Sequence, residues 1–141
     1  MVQHNKCRTY FKIVGNFNPD KVTEWLGLQP DQVWHIGDSR KNNTTYDFAA
    51  WFFGMNSEYN IIVEKQMLAT IAPLQTKIDV LQQIKNQYDV DFILEIVSEI
   101  YVGEITPCLA PSQAVMQFCV ATETTLDIDL YAYHDDSEVV P

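Results

Sequence analysis

Residues 10–17 alternate. Tyr10, Lys12, Val14 and Asn16 fall on one side of an extended chain, with Phe11, Ile13, Gly15 and Phe17 on the other, which predicts a strand. Asn18-Pro19 then marks a helix start, because Asn can cap and Pro at the first helical position loses only an N–H without an intrahelical partner. A helix over 19–26 would bury Val22, Trp25 and Leu26 and end at Gly27. Residues 29–38 read as a loop, 44–53 as an aromatic-rich strand ending at Gly54, and 55–60 as a second loop. Met67, Ile71, Leu74, Ile78, Leu81, Ile84 and Tyr88 then recur at three- and four-residue steps, the stripe of an amphipathic helix. Pro73 interrupts that stripe and predicts two helices, 62–72 and 74–88. The clearest strand is 90–101, with Phe92, Leu94, Ile96 and Ser98 on one face and Asp91, Ile93, Glu95, Val97 and Glu99 on the other. Gly103 permits a turn into a strand near 105–109, Pro111-Ser112 opens a helix to about residue 121, and 126–133 closes the chain as a strand.

The order β-α-β-α-α-β-β-α-β predicts an α+β fold. It is an α/β sandwich with a mixed or antiparallel sheet and helices mainly on one face, ferredoxin-like in spirit. At 141 residues one domain is expected, with its core over about 9–133 and an acidic tail over 134–141. The 47% apolar content argues against disorder, and apolar runs such as 48–54 are too short to span a bilayer. The first residues lack the apolar stretch of a signal peptide, so a cytoplasmic protein is expected. Cys7, Cys108 and Cys119 form no CxxC pair and read as reduced thiols, Cys119 as a small buried hydrophobe.

Charge changes this picture most. Residues 1–41 net +2 and residues 42–85 net −1, whereas no Lys or Arg follows Lys85 and eleven carboxylates do. Such a field repels nucleic acid and anionic membrane and steers basic partners inward.

Two stretches carry a family likeness: residues 11–19 with 22–30 and the Trp34-His35-Ile36-Gly37-Asp38 segment, and the ending Leu126-Asp127-Ile128-Asp129-Leu130-Tyr131. Together they resemble the bacterial domain-of-unknown-function family 4279, over about residues 9–133. The resemblance implies a small cytoplasmic α/β domain. It supplies no catalytic residues to carry over, and it raises the expectation of a toxin-immunity protein.

The loop Trp34, His35, Gly37, Asp38 and Arg40 could offer stacking and polar contacts to a ligand. Its structural reading packs Trp34 over the helix at 19–26, with Trp51 against it. Asp127 and Asp129 share one face of a strand. Such a pair can do acid/base work, hold a cation, or simply form a solvated row, and the sequence shows no third ligand at metal spacing. His134-Asp135-Asp136 and His4 with Cys7 lie in terminal segments and make weak metal candidates. No phosphate loop, nucleophile elbow or HExxH helix is present.

The expectation is therefore a non-catalytic, acidic protein-binding domain without cofactor or metal. Its role would be an immunity or inhibitor protein that covers the active site of a basic toxin domain. Asp91, Glu95, Glu99, Glu104, Asp127 and Asp129 would meet the partner, with Tyr101 or Tyr131 as aromatic anchors. The alternative is a small-ligand site at Trp34, His35, Asp38 and Arg40.

Overall fold

The computed structural model describes residues 5–58 and 62–134. Five strands, β1 (Lys6–Asn16), β2 (Gln32–Trp34), β3 (Ala49–Glu58), β4 (Asp89–Tyr101) and β5 (Thr124–Tyr133), form one sheet in the order β2-β3-β1-β4-β5. Every pairing is antiparallel except β4 with β5, which is parallel. Helices α1 (Pro19–Leu26), α2 (Glu64–Gln75), α3 (Ile78–Gln87) and α4 (Gln113–Thr122) pack on one face. This is the expected α+β sandwich with a mixed sheet.

The period of two in β1 decides which face takes the helices. Cys7, Thr9, Phe11 and Ile13 are fully buried, while Tyr10, Lys12 and Val14 on the other side keep partial exposure. Phe11 is central, with ring centroids 5.7 Å from Phe92 and 6.2 Å from Phe118 of α4, both edge-on. Trp51 Nε1 donates to Thr23 Oγ1 at 3.0 Å and ties α1 to β3. Gln66 of α2 donates to the Cys7 carbonyl at 2.9 Å and accepts from the Thr9 hydroxyl at 3.1 Å, so its buried amide is matched on both sides. Lys85 of α3 lays its ammonium 4.7 Å from the Phe92 ring centre.

Several expectations need correction. Residues 29–38 contain β2, which pairs Gln32, Val33 and Trp34 with Phe52, Trp51 and Ala50. The strand expected at 44–53 begins only at Ala49; the preceding residues form a hairpin closed by a bridge between Ser39 and Thr45. Gly54 does not end β3. It adopts φ +73° and lets Gly54 and Met55 bulge opposite Tyr10, after which pairing resumes at Asn56. Thr70 of α2 seals the bulge by donating to the Gly54 carbonyl at 2.8 Å.

Pro73 lies inside the last turn of α2 and not at its end, because only one helical bond depends on its missing N–H; the break comes at Thr76 and Lys77. No strand forms at 105–109. That segment, interrupted by Pro107, makes a single bridge from Cys108 to Ile62, and the Ile105 carbonyl accepts from Asn5 Nδ2. His4, Asp135, Asp136 and the rest of the acidic tail beyond His134 lie outside the described residues, as do loop residues 59 and 60.

Candidate functional site

No described α-helix packs on the second face of the sheet, and the side chains of that face follow from strand register. β1 contributes Arg8, Tyr10, Lys12 and Val14, and β4 contributes Asp91, Ile93, Glu95, Val97 and Glu99. The parallel β5 sets Asp127 beside Glu95, Asp129 beside Val97 and Tyr131 beside Glu99. Carboxylate oxygens of Glu95, Asp127 and Asp129 thereby lie within 4.8 Å of one another. The third carboxyl that the local sequence lacks around Asp127 and Asp129 comes from the neighbouring strand, 32 positions earlier than Asp127.

Glu95 is only 5% exposed. Lys12 Nζ stands 3.5 Å from its Oε1, and its Oε2 is buried without a hydrogen-bond partner. Burial is the main force raising its pKa to about 7. A protonated Glu95 could donate to Asp127, which adds to this, as do the Asp127 and Asp129 charges, while Lys12 pulls the other way. Tyr10, opposite Glu95 in register, is also raised, first by burial and then by the Glu95 charge. The cluster thus holds one ammonium against three carboxyls. Its oxygens could grip a cation, and Lys12 already brings a positive charge to the deepest of them.

Beside the acids runs a band of rings. Tyr10 meets Phe52 at 5.9 Å, Phe52 meets Trp34 at 5.2 Å, and Trp34 stacks on Tyr46 at 4.1 Å. Phe48 closes edge-on against both Trp34 and Tyr46, and Arg40 lies 4.6 Å over the Tyr46 ring. An open hollow of about 440 Å³, lined by Lys12, Val14, Gly15, Phe48 and Asp91, separates this band from the acidic row.

The expected packing of Trp34 over α1 against Trp51 is incorrect. In β2 and β3, Val33 pairs with Trp51 while Trp34 pairs with Ala50, so the two indoles point to opposite faces. Trp51 occupies the place over α1, and Trp34 joins the open face.

The remaining candidates scatter. His35 turns away from the band: its Nε2 is 3.1 Å from Asp20 Oδ2, and Asp38 Oδ2 accepts its backbone N–H at 2.7 Å. The hydrogen bond to Asp20 is the first cause of the rise in its pKa. Of the four loop residues, Trp34 and Arg40 reach the open face and His35 and Asp38 brace a turn. Glu99 sits in the open-face row between Lys6 and Tyr131. Glu104 lies in the turn after β4, where its N–H donates to the Tyr101 carbonyl. Tyr101 stacks on Tyr133 at 5.1 Å, and Tyr131 is half exposed. Tyr46, Phe48 and Phe52 were not singled out from the sequence. Their signal lay in the alternation of Trp34, Ala50 and Phe52 across paired strands, which is visible only once register is known.

Residues 5–133 match the sequence profile of a family described as Domain of unknown function (DUF4279). The chain belongs to the DUF4279 family. No curated protein and no solved structure matches it. The matched span takes in this DUF4279 domain's acidic row and aromatic band, both built from described residues between Arg8 and Asp129.

Proposed function

We propose that this chain is a non-catalytic binding domain for a basic protein partner, acting as an immunity or inhibitor protein that covers the phosphate-binding groove of a toxin's catalytic domain. The convergence of Glu95, Asp127 and Asp129 on the sheet face against which no described helix packs carries the reading. Clustered carboxyls accept charge-assisted bonds from Arg or Lys, and the neighbouring rings supply rigid, half-buried contact area. Asp91 extends the negative row to the rim of the hollow. Lys12 limits repulsion within the row before the partner arrives. A phosphate-binding enzyme is basic at its groove, so steering and occlusion would act on the same surface.

Immobilised chain at low salt is expected to retain a basic protein that elutes as salt rises, and stoichiometric chain should suppress that protein's activity. The triple variant Asp91→Asn, Asp127→Asn, Asp129→Asn should lose retention. Retention unchanged in that variant overturns the reading. The hollow favours a second reading, a small ligand held between Phe48 and the Lys12–Asp91 rim. Quenching of tryptophan fluorescence by such a ligand, absent in Trp34→Ala, would support it.

A further inference from the structure

The sheet ends on one side with β2, three residues long, and on the other with β5, ten residues long. Among the described residues β5 is bonded along one edge only, to β4, with register unbroken from the Phe92–Thr124 pair to the Tyr101–Tyr133 pair. Long free edges are usually blunted by proline, a bulge or charged side chains, lysine above all. Between Thr124 and Tyr133 there is no proline, glycine, bulge or basic residue; the only charges are Asp127 and Asp129.

The two faces beside this edge differ sharply. On the open face stand Asp127 and Asp129, backed by Glu95. On the helix face Leu126 and Ile128 are partly covered, but Leu130 is 59% exposed. Above that face α4 exposes Met116 at 48% and Val120 at 80%. These two residues lie on one flank of the helix, about 100–140° round from Val115 at 100° per residue. Ala121 lies on the opposite flank, where its carbonyl accepts from Gln82 of α3 at 2.9 Å. Met116 and Val120 therefore lie on the exposed flank of α4 away from its contact with α3.

We propose that the outer edge of β5 is a strand-addition site for an extended segment of the partner that alternates Lys or Arg with apolar residues. The proposal rests on the reading of a basic partner and names how that partner is held. An added strand completes the edge hydrogen bonds. Its cationic side chains fall on the open face opposite Asp127 and Asp129, and its apolar ones fall on the helix face over Leu130, Met116 and Val120.

Charge disfavours a second copy as the occupant. Antiparallel self-pairing must match like faces. The two registers of fullest overlap therefore set Asp127 against Asp129, or Asp129 against its own counterpart, like charges directly opposite each other on strands that carry no basic residue of their own.

The test uses the full chain and two acetylated, amidated peptides of equal composition, one alternating lysine with valine and one with the lysines and valines in separate blocks. The alternating peptide should bind at low salt, slow amide exchange along Thr124–Tyr133 and shift the Met116 and Val120 methyl signals. The block peptide should bind about tenfold more weakly, as should the alternating peptide to Asp127→Asn/Asp129→Asn, the scale of a few cross-strand pairs. Val120→Asp, at a site 80% exposed, should fold normally and lose binding as well.

Equal binding of both peptides, with signals shifting only around Lys12, Phe52 and Asp91, overturns the edge site and leaves the basic-partner reading standing. No binding of either peptide overturns both. A dimer by sedimentation that Val120→Asp dissolves overturns the choice of occupant.

Discussion

Glu95 is a carboxylic acid held 5% exposed beside Lys12, Tyr10, Asp127 and Asp129. Its folded pKa lies at about 7, above the ordinary 4.5, so between those values the folded chain keeps a proton that the unfolded chain releases. Stability therefore falls as pH rises through that window. His35, raised by Asp20, adds a loss of the same sign above its ordinary 6.5, so the comparison belongs below it. Glu95→Gln should show a flatter urea midpoint between about pH 5 and about pH 6.5 than the parent. Identical slopes would show that Glu95 ionises freely in the fold. Gly15 is a second residue whose identity matters. It holds φ +146°, and a Cβ there would meet the Asp89 carbonyl oxygen at 2.3 Å and the Val90 Cα at 2.9 Å, both backbone atoms of β4. Gly15→Ala should cost about 2–4 kcal/mol in denaturant melts, because neither strand can yield without breaking the ladder. The indoles carry the lesson of parity. Both are aromatic and near each other in the chain, yet a one-residue difference in register sends Trp51 into the core and Trp34 to the open face.

Element ends with their own chemistry were legible. Asn18 caps α1 by accepting from the Asp20 N–H at 3.0 Å, Pro19 occupies the first turn, and Gly27 ends the helix at φ +66°. Asn18→Ala should destabilise by about 1 kcal/mol, read as a shift of the urea midpoint without a change in slope. Pro111-Ser112 does open α4, and Ser112 caps it by accepting from the Val115 N–H. Elements that depend on distant partners were not legible. β2 is too short to show a period and exists because β3 lies beside it. β3 passes Gly54 because Thr70 of α2 holds the bulge, and 105–109 fails as a strand because its partners are Asn5 and the start of α2. The stripe from Met67 to Ile84 did place α2 and α3, but Pro73 marked their boundary only to within a few residues.

At the scale of the whole molecule the fold is one-sided: helices on one face, rings and acids on the other. Among the described residues no helix is long and apolar enough to cross a membrane. The charge asymmetry acquires a location here, since β4 and β5, both from the chain's acidic half, are neighbours at one side of the sheet. Association with a basic partner should therefore slow steeply as salt rises, because exposed charges are screened over about 8–10 Å near physiological ionic strength. Stopped-flow association across a salt series checks this, and a rate indifferent to salt would remove steering from the account. The sequence by itself determined the α+β class, the start and end of α1, the two alternating faces of β1 and β4, and the excess of carboxylates after Lys85, because each depends on neighbours within a few residues. Only the tertiary structure decided that Glu95 joins Asp127 and Asp129, that Trp34 joins Phe52 and Tyr46, and that β5 ends the sheet. Those outcomes follow from strand order and register, which are settled by packing between segments far apart in the chain.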